Sequence, residues 1–407
     1  MKVGFIGLGK LGMTCAETIA KKEISVTGFD IENVQSDFVD IKNNIKDTVS
    51  DRDIVFIAVP TPHDPEYDGK TPIANLSPKD FNYSIVKNVL SEAEQYMTKN
   101  QLLVLISTVL PGTTRREFVS LVNNTNFIYN PYLIAMGTVE YDMLNPEMIM
   151  IGTDDGSNTG NARKLINFYE NIMENNPRFV IGTWDECECI KVFYNTFISA
   201  KVGLVNMIQD VAQKQGNINV DIVTTALAQS TMRIMSPQYM TAGMGDGGSC
   251  HPRDNIALRY LAKELDLGYD LFDSIMQARE IQAENLAKEL VKHANETNMP
   301  IYIHGKAYKP KVPYIDGSYS LLVGYYVKEM GFEPIYIDPY TGDDYQPTNP
   351  GVFLMAHSAS ITYDYTKDKA KDEIYCVIPP SSIIIDPWRK ITSSVSRVIH
   401  YGNTRNV

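Results

Sequence analysis

Short apolar runs closed by glycine, proline or serine alternate with longer stretches of helical period over the first 183 residues. Val3–Ile6, Ile24–Asp30, Asp53–Val59, Gln101–Ile106, Asn126–Tyr129, Met148–Ile151 and Arg178–Ile181 read as strands. Their near-continuous Val/Ile/Leu content suits a parallel sheet buried on both faces. Helices are expected from the first glycine turn to about Lys22, over Pro78–Thr98, from Pro111-Gly112-Thr113-Thr114 onward, and over Asn158–Glu174; His63–Pro78 reads as a surface loop. The period then changes. Trp184–Gln215 is helical with no proline, which predicts a rod of about 45 Å at 1.5 Å per residue. Further helices are expected over Val220–Gln229, from about Asp254 to Glu264, and over Leu271–Asn298. Strands resume at Ile301–Gly305, Pro334–Asp338, Val352–Ala356, Ile374–Val377 and Ile383–Asp386, with a helix over Ser318–Met330. The reading is an α/β protein in three parts: residues 1–183, a helical middle at 184–298, and a smaller α/β part at 299–407.

The first strand runs into Gly7-Leu8-Gly9-Lys10-Leu11-Gly12, and the second strand ends on Asp30. Glycines at this spacing permit a tight turn and bring a pyrophosphate close to a helix N-terminus. An acid at Asp30 accepts hydrogen bonds from ribose hydroxyls and favours NAD over NADP. GxGxxG alone is a weak signal. Strand, turn, helix, strand and acid in order make it a Rossmann-like dinucleotide site. Ligands in such sheets lie beyond the carboxyl ends of the strands, so Pro60, Thr61, Ser107 and Thr108 are expected in the cofactor crevice.

A 407-residue chain with 44% hydrophobic and 21% charged residues is a globular protein of several domains. A net charge of −12 excludes nucleic-acid binding through the general surface. No run reaches transmembrane length, so no membrane partner is expected. Five cysteines at irregular spacing argue against a disulfide framework and for a reducing cytoplasm. Cys187-Glu188-Cys189 lacks a second ligand pair, so no metal site is expected there.

Two stretches carry candidate chemistry. Lys191 and Asn195, four apart on the long helix, share a face otherwise rich in Phe, Tyr and Ile. A lysine there is desolvated. Gly245-Asp246-Gly247-Gly248-Ser249-Cys250 then presents a thiol in a glycine turn before a helix, where the helix N-terminus favours a thiolate.

With these residues laid out, the chain resembles the nucleotide-sugar dehydrogenase family, whose members include UDP-glucose and GDP-mannose 6-dehydrogenases. The most specific match is Gly247 to Asp254. Supporting it are Gly7-Leu8-Gly9, Val59-Pro60-Thr61-Pro62, Ser107-Thr108-Val109-x-Pro111-Gly112-Thr113-Thr114, Lys191-x-x-x-Asn195 and Tyr308-Lys309-Pro310. The resemblance implies an NAD-dependent, four-electron oxidation of a sugar alcohol to an acid, with UDP-glucose as the first substrate. Cys250 would hold the aldehyde as a thiohemiacetal and then a thioester. Lys191 and Asn195 would stabilise oxyanions, Asp254 would orient water, and Thr108 would lie near the reacting carbon. Tyr239, Gly245, Gly247 and Gly248 would line the sugar-nucleotide pocket, with Tyr308 and Lys309 reaching in from the C-terminal UDP-sugar-binding domain. The long middle helix implies a homodimer.

The chain departs from the family pattern in places. Tyr132 and Met136 stand where the family has glutamates, the first of them at a position that contacts substrate. Met148 replaces an arginine, Asp316-Gly317-Ser318 stands for Arg-Glu-Ser, and Asp246 stands where an aromatic is common. These changes leave UDP-N-acetylhexosamine and GDP-mannose open as substrates. They also leave open a two-electron β-hydroxyacid-type dehydrogenase and a non-catalytic sugar-nucleotide binder.

Overall fold

The computed structural model describes residues 1–62, 76–77, 79–123, 125–135, 137–158, 160–236, 240–248, 250–358, 361–363 and 376–403. The chain divides into two compact units, Met1–Lys201 and Val202–Val407.

The first unit is built on an eight-stranded sheet. Its strands are β1 (Lys2–Ile6), β2 (Ser25–Phe29), β3 (Asp40–Ile41), β4 (Ile54–Ile57), β5 (Leu102–Leu105), β6 (Asn126–Tyr129), β7 (Met148–Thr153) and β8 (Arg178–Thr183), in the order β3-β2-β1-β4-β5-β6-β7-β8. All pairings are parallel except β6 with β7, which meet antiparallel at Tyr129 and Gly152. Side chains alternate between two buried layers, as a sheet covered on both faces requires. Val3, Phe5, Ile54, Phe56, Leu102 and Val104 fill one layer, while Ile6, Val55, Ile57, Leu103 and Leu105 fill the other. Phe5, Phe56 and Phe168 stack in series at 5.6 and 5.5 Å between ring centres. Helices α1 (Lys10–Ala20), α2 (Ile45–Val49), α3 (Ser84–Glu94), α4 (Val139–Leu144) and α5 (Gly160–Glu170) belong to this unit.

The long helix α6 (Trp184–Gln215) begins in the first unit and continues into the second. The second unit adds α7 (Val220–Ala228), α8 (Cys250–Glu264) and α9 (Leu271–Thr297). A five-stranded parallel sheet follows. It is made of β9 (Ile301–His304), β10 (Ile335–Ile337), β11 (Val352–Met355), β13 (Ile383–Asp386) and β15 (Arg397–His400), in the order β10-β9-β11-β13-β15. Between β9 and β10 runs α10 (Tyr319–Glu329), while β12 (Ile361–Tyr363) and β14 (Ile391–Ser393) form a separate pair. Ile303, Leu354 and Ile385 pack toward α9 and α10, and Tyr302, Phe353 and Ile384 pack on the other side.

Several expectations change. Helix α8 begins at Cys250, four residues before the expected start near Asp254. Pro252 does not prevent this, because a proline within the first turn lacks only an N–H that has no intrahelical acceptor. The segment after Pro111 is not an α-helix: Thr114–Phe118 is a π-turn and Val119–Leu121 a 3₁₀ turn. Helix α3 starts at Ser84 rather than Pro78. Of the expected strand Ile374–Val377, Cys376 and Val377 are not strand, and the remainder lies outside the described residues. Most of the expected His63–Pro78 loop, Met136, Tyr239 and Ser249 also lie outside them.

Candidate active site

In the first unit the chain turns back on itself after β1. Gly7 has φ +93°, and a Cβ there would lie 2.8 Å from the Ala58 backbone. A Cβ at Gly12 would lie 1.9 Å from the Gly7 carbonyl oxygen, so α1 sits on the turn at a distance only glycine allows. Gly9 and Lys10 face solvent, Leu11 is half-buried, and a Cβ at Gly9 would meet nothing within 4 Å. Asp30 follows β2. Its carboxylate accepts from the Leu8 N–H at 2.6 Å and the Glu32 N–H at 2.9 Å. A carboxylate has about four lone-pair positions, so acceptor capacity remains. The sheet order reverses at β1, with β2 on one side and β4 on the other, which is where such sheets bind nucleotides. The glycine cradle, the α1 N-terminus and Asp30 thus fit the pyrophosphate and ribose of NAD.

At the carboxyl ends of β4 and β5 the expected crevice residues meet. The Thr61 hydroxyl donates to the Thr108 carbonyl at 2.7 Å, and the buried Ser107 hydroxyl donates to the Val59 carbonyl at 2.5 Å. Pro60 is exposed beside them. Glu188, fully buried on α6, then grips the following turn: it accepts from the Gly112 N–H at 2.6 Å and the Thr114 N–H at 2.7 Å. Burial raises the Glu188 pKa, and these hydrogen bonds oppose the rise.

One turn further along α6, the Lys191 ammonium donates to the Tyr132 carbonyl at 2.6 Å. Burial lowers the Lys191 pKa. The Tyr132 ring points away from that contact into the core, where its hydroxyl lies 3.0 Å from the Tyr169 hydroxyl. The Tyr169 hydroxyl also donates to the Asn130 side-chain oxygen, and the Asn130 amide donates to the Met150 carbonyl at 2.6 Å. Residue 132 therefore meets Lys191 through its backbone. Asn195 shares the Lys191 face but is exposed. Cys187 is fully buried, and its thiol is pushed up to about 12 by that burial.

In the second unit the glycine turn lies between two tyrosines. A Cβ at Gly245 would lie 2.2 Å from the Tyr319 ring, and one at Gly247 would lie 3.1 Å from Tyr308. Gly248 has φ +91°. These features deliver the chain to Cys250 as the first residue of α8, where unpaired helix N–H groups favour negative charge. Asp254 is exposed on the same helix. Arg279 of α9, with only 10% of its side chain exposed, donates to the Asp246 carboxylate at 2.5 Å and to the Gly317 carbonyl at 3.4 Å. Its guanidinium also lies 5.4 Å from the Tyr319 ring centre. Gly245, Gly247, Tyr308 and Lys309 line a cavity of about 860 Å³, joined in its wall by Arg233, His251 and Trp388.

Glu188, Tyr169, Arg279 and Trp388 were not anticipated from sequence. Glu188 stands three residues before Lys191, a spacing that shares a helix face, and that was its available signal.

The first unit is a dinucleotide-binding α/β domain, and the second carries a thiol turn and a smaller parallel sheet. Two family models match in order: the UDP-glucose/GDP-mannose dehydrogenase NAD binding domain over residues 32–173 and the central domain over 185–281. The chain belongs to the UDP-glucose/GDP-mannose dehydrogenase family, and its cofactor is NAD. An uncharacterized protein of Methanocaldococcus jannaschii is 26% identical over 280 residues, 63% of this chain and 30% of that one. UDP-glucose 6-dehydrogenase of Rickettsia prowazekii is 24% identical over 260 residues, 63% of this chain and 56% of that one. The chain thus spans about a third and just over half of these two relatives. A ternary complex of GDP-mannose dehydrogenase from Pseudomonas aeruginosa shares the fold, with a TM-score of 0.80 at 19% identity over 98% of this chain and 99% of that one. Among the described residues no helix is long and apolar enough to cross a membrane.

Proposed function

We propose that the protein oxidises the primary alcohol of a nucleotide sugar to a carboxylic acid, with UDP-glucose to UDP-glucuronate as the leading candidate. NAD, when bound, supplies the hydride acceptor for each of two oxidations. Gly7, Gly9, Lys10, Leu11 and Gly12 hold its pyrophosphate, Asp30 its ribose, and Pro60, Thr61, Ser107 and Thr108 wall the crevice. The Cys250 thiolate adds to the aldehyde carbon, giving a thiohemiacetal that keeps the intermediate from leaving. Lys191 and Asn195 stabilise the oxyanion. Loss of a second hydride leaves a thioester. Water then releases the acid and returns the thiol, with Asp254 orienting that water.

The observation that carries this reading is the glycine turn packed against Tyr308 and Tyr319, which ends with Cys250 opening α8. The turn has the residues this chemistry needs, in the family that uses it. The relatives named UDP-glucose 6-dehydrogenase support the choice of sugar. The same reading takes residues 1–183 as the NAD domain, 184–298 as a central domain that pairs two copies through α6, and 299–407 as the sugar-nucleotide domain of a cytoplasmic homodimer. The exposed Phe193, Phe197 and Ile198 on α6 support pairing.

The test is NADH yield per sugar with UDP-glucose, UDP-N-acetylhexosamines and GDP-mannose. Two NADH per sugar consumed is the expected result. One per sugar would replace this reading with a two-electron dehydrogenase, and none with any sugar would replace it with a binding protein.

A further inference from the structure

The turn that carries the thiol has little of its own to hold it. Residues 243–248 include four glycines, and a glycine backbone is free to take many paths. Among the described residues, no hydrogen bond between backbone groups reaches this stretch, and its hydrogen bonds come from one side chain, Arg279 of α9. The Arg279 Nε donates to the Asp246 carboxylate at 2.5 Å, and Nη2 donates to the Asp246 carbonyl at 3.5 Å. One planar guanidinium thus holds both the side chain and the main chain of one residue, as a lysine ammonium on a flexible stem does not.

Arg279 is itself a fixed point. Helix α9 packs through Ala283, Leu286 and Leu290 into the core that holds Ile303 and Leu354 of the second sheet. The guanidinium lies 5.4 Å from the Tyr319 ring centre and donates to the Gly317 carbonyl at 3.4 Å. The Tyr319 hydroxyl in turn donates to the Arg279 carbonyl at 3.1 Å. The Arg279 side chain is 10% exposed and that of Asp246 is 30% exposed, so the aspartate takes its place from the arginine. Asp246 stands four residues before Cys250, the first residue of α8, with Gly247 and Gly248 in between.

We propose that Arg279 is a positioning residue for Cys250: by holding Asp246 it fixes how the glycine turn enters α8, and with it the station of the thiol. This rests on the thiol chemistry of the proposed function and adds the residue that sets the nucleophile in place. Asp246 stands where an aromatic is common in the family, so the hold belongs to this chain and not to the motif. Reacting atoms must lie about 3–3.5 Å apart, and a displacement of about 1 Å costs up to about a hundredfold in rate.

Three variants of the full chain dissect the contact. Arg279→Met removes it, Arg279→Lys keeps the charge without the fork, and Asp246→Asn keeps the shape without the charge. Both arginine variants should lower kcat for sugar oxidation by about tenfold to a hundredfold while NAD affinity holds. Alkylation of Cys250 by iodoacetamide, located by peptide mass mapping, should slow about tenfold as well. Its pH profile should move to higher pH, because a thiol displaced from the helix N-terminus loses the N–H groups that favour the thiolate. A purely structural role would lower the urea midpoint and leave that profile in place. Asp246→Asn, the milder change, should shift the same readouts to a smaller extent, and it carries the test if Arg279→Met fails to fold. Combining Asp246→Asn with Arg279→Met should be no worse than Arg279→Met alone, since the arginine acts through the aspartate. Additive losses, an unmoved pH profile, or normal alkylation and kcat in Arg279→Met would overturn the proposal. Slowed alkylation in Arg279→Met, with no NADH from any sugar in the unaltered protein, would leave this inference standing and remove the dehydrogenase reading. Normal alkylation in Arg279→Met, beside loss of acid formation in Cys250→Ser, would do the reverse.

Discussion

Asp30 and Asp338 hold the same station in two different sheets. Each follows the second strand of its sheet, and each accepts from the backbone N–H just after the glycine that ends the first strand: Leu8 at 2.6 Å for Asp30, Lys306 at 3.0 Å for Asp338. Each also accepts from the N–H two residues on, Glu32 at 2.9 Å and Tyr340 at 3.1 Å. The glycines correspond as well, Gly7 with φ +93° and Gly305 with φ +101°. The two acids differ in what remains. Asp338 takes a third N–H, from Ala307 at 2.9 Å, and is 0% exposed, whereas Asp30 is half-buried with capacity left for a ribose. Asp30→Ala is expected to weaken NAD binding by about tenfold and to cost about 1–3 kcal/mol of stability, since the buried Leu8 N–H loses its acceptor. Asp338→Ala should remove about 3 kcal/mol or more, as losing hydrogen bonds to a buried charge does. NAD titration and urea unfolding of the two variants separate these outcomes.

The lowered pKa of Lys191 has a direction in pH. An ordinary lysine loses its charge near ~10.4, and burial brings Lys191 below its usual value. A step that needs the ammonium is complete on the acid side and fails as pH rises through the lowered value. The rate with saturating substrate should therefore fall on the alkaline side earlier than an ordinary lysine would dictate. Lys191→Arg should move that limb upward, because arginine keeps its charge. An alkaline limb unchanged in Lys191→Arg would remove the lysine from the step.

Glu188 carries a stability signature. Its folded pKa is raised by burial above an unfolded value near ~4.3. Between those two values the folded protein holds a proton that the unfolded chain lacks, so this group makes stability fall as pH rises through the window. Glu188→Gln should flatten that part of the stability–pH curve. It should also lower kcat, because Gly112 and Thr114 donate to different oxygens of Glu188 and glutamine puts an NH2 donor in place of one of them. Urea midpoints across the acid range, with kcat alongside, read both effects.

Tyr169 bridges Asn130 and Tyr132. Tyr169→Phe leaves the buried Asn130 oxygen without that donor, a loss of about 1–3 kcal/mol. The Lys191 contact is to the Tyr132 carbonyl, so the alkaline limb of the rate should stay in place while the melting temperature drops. A shifted limb would show that the hydroxyl chain tunes the lysine.

Cys250→Ser should stop acid formation and leave NAD binding intact. Alkylation gives an independent measure, because burial pushes the Cys15, Cys187 and Cys376 thiols up to about 12 and leaves them inert near neutral pH. Modification lost with Cys250→Ser identifies the reactive thiol. Acid production at the normal rate by that variant would end the thioester mechanism.

Most of the scaffold was legible because the buried parallel strands carry unbroken apolar runs, and β6, α6 and β13 match their expected spans. The failures have physical causes. The start of α8 at Cys250 is hidden in the sequence because Pro252 reads as a break, although a first-turn proline is permitted. Strands β14 and β15 carry no clear pattern, because Ile391–Ser393 and Arg397–His400 are short and mix polar with apolar residues. The glycine and thiol motifs were visible as local patterns. Glu188, Arg279 and Trp388 were not, since each gains its meaning from a distant segment. The rule that placed Thr61 and Thr108 at strand ends applies equally to β13, and extending it to the second sheet would have singled out Trp388.

The Asp246–Arg279 pair has a consequence for inheritance. One partner sits on the thiol turn, the other 33 residues later on α9. A lineage that loses Asp246 alone leaves the largely covered Arg279 side chain without its ion pair, and a hydrogen bond to a charged group is worth about 1.5–3 kcal/mol. Both positions can become apolar together without that penalty. Close homologues should therefore keep both charges or neither, with an aromatic residue at 246 accompanied by loss of the arginine at 279.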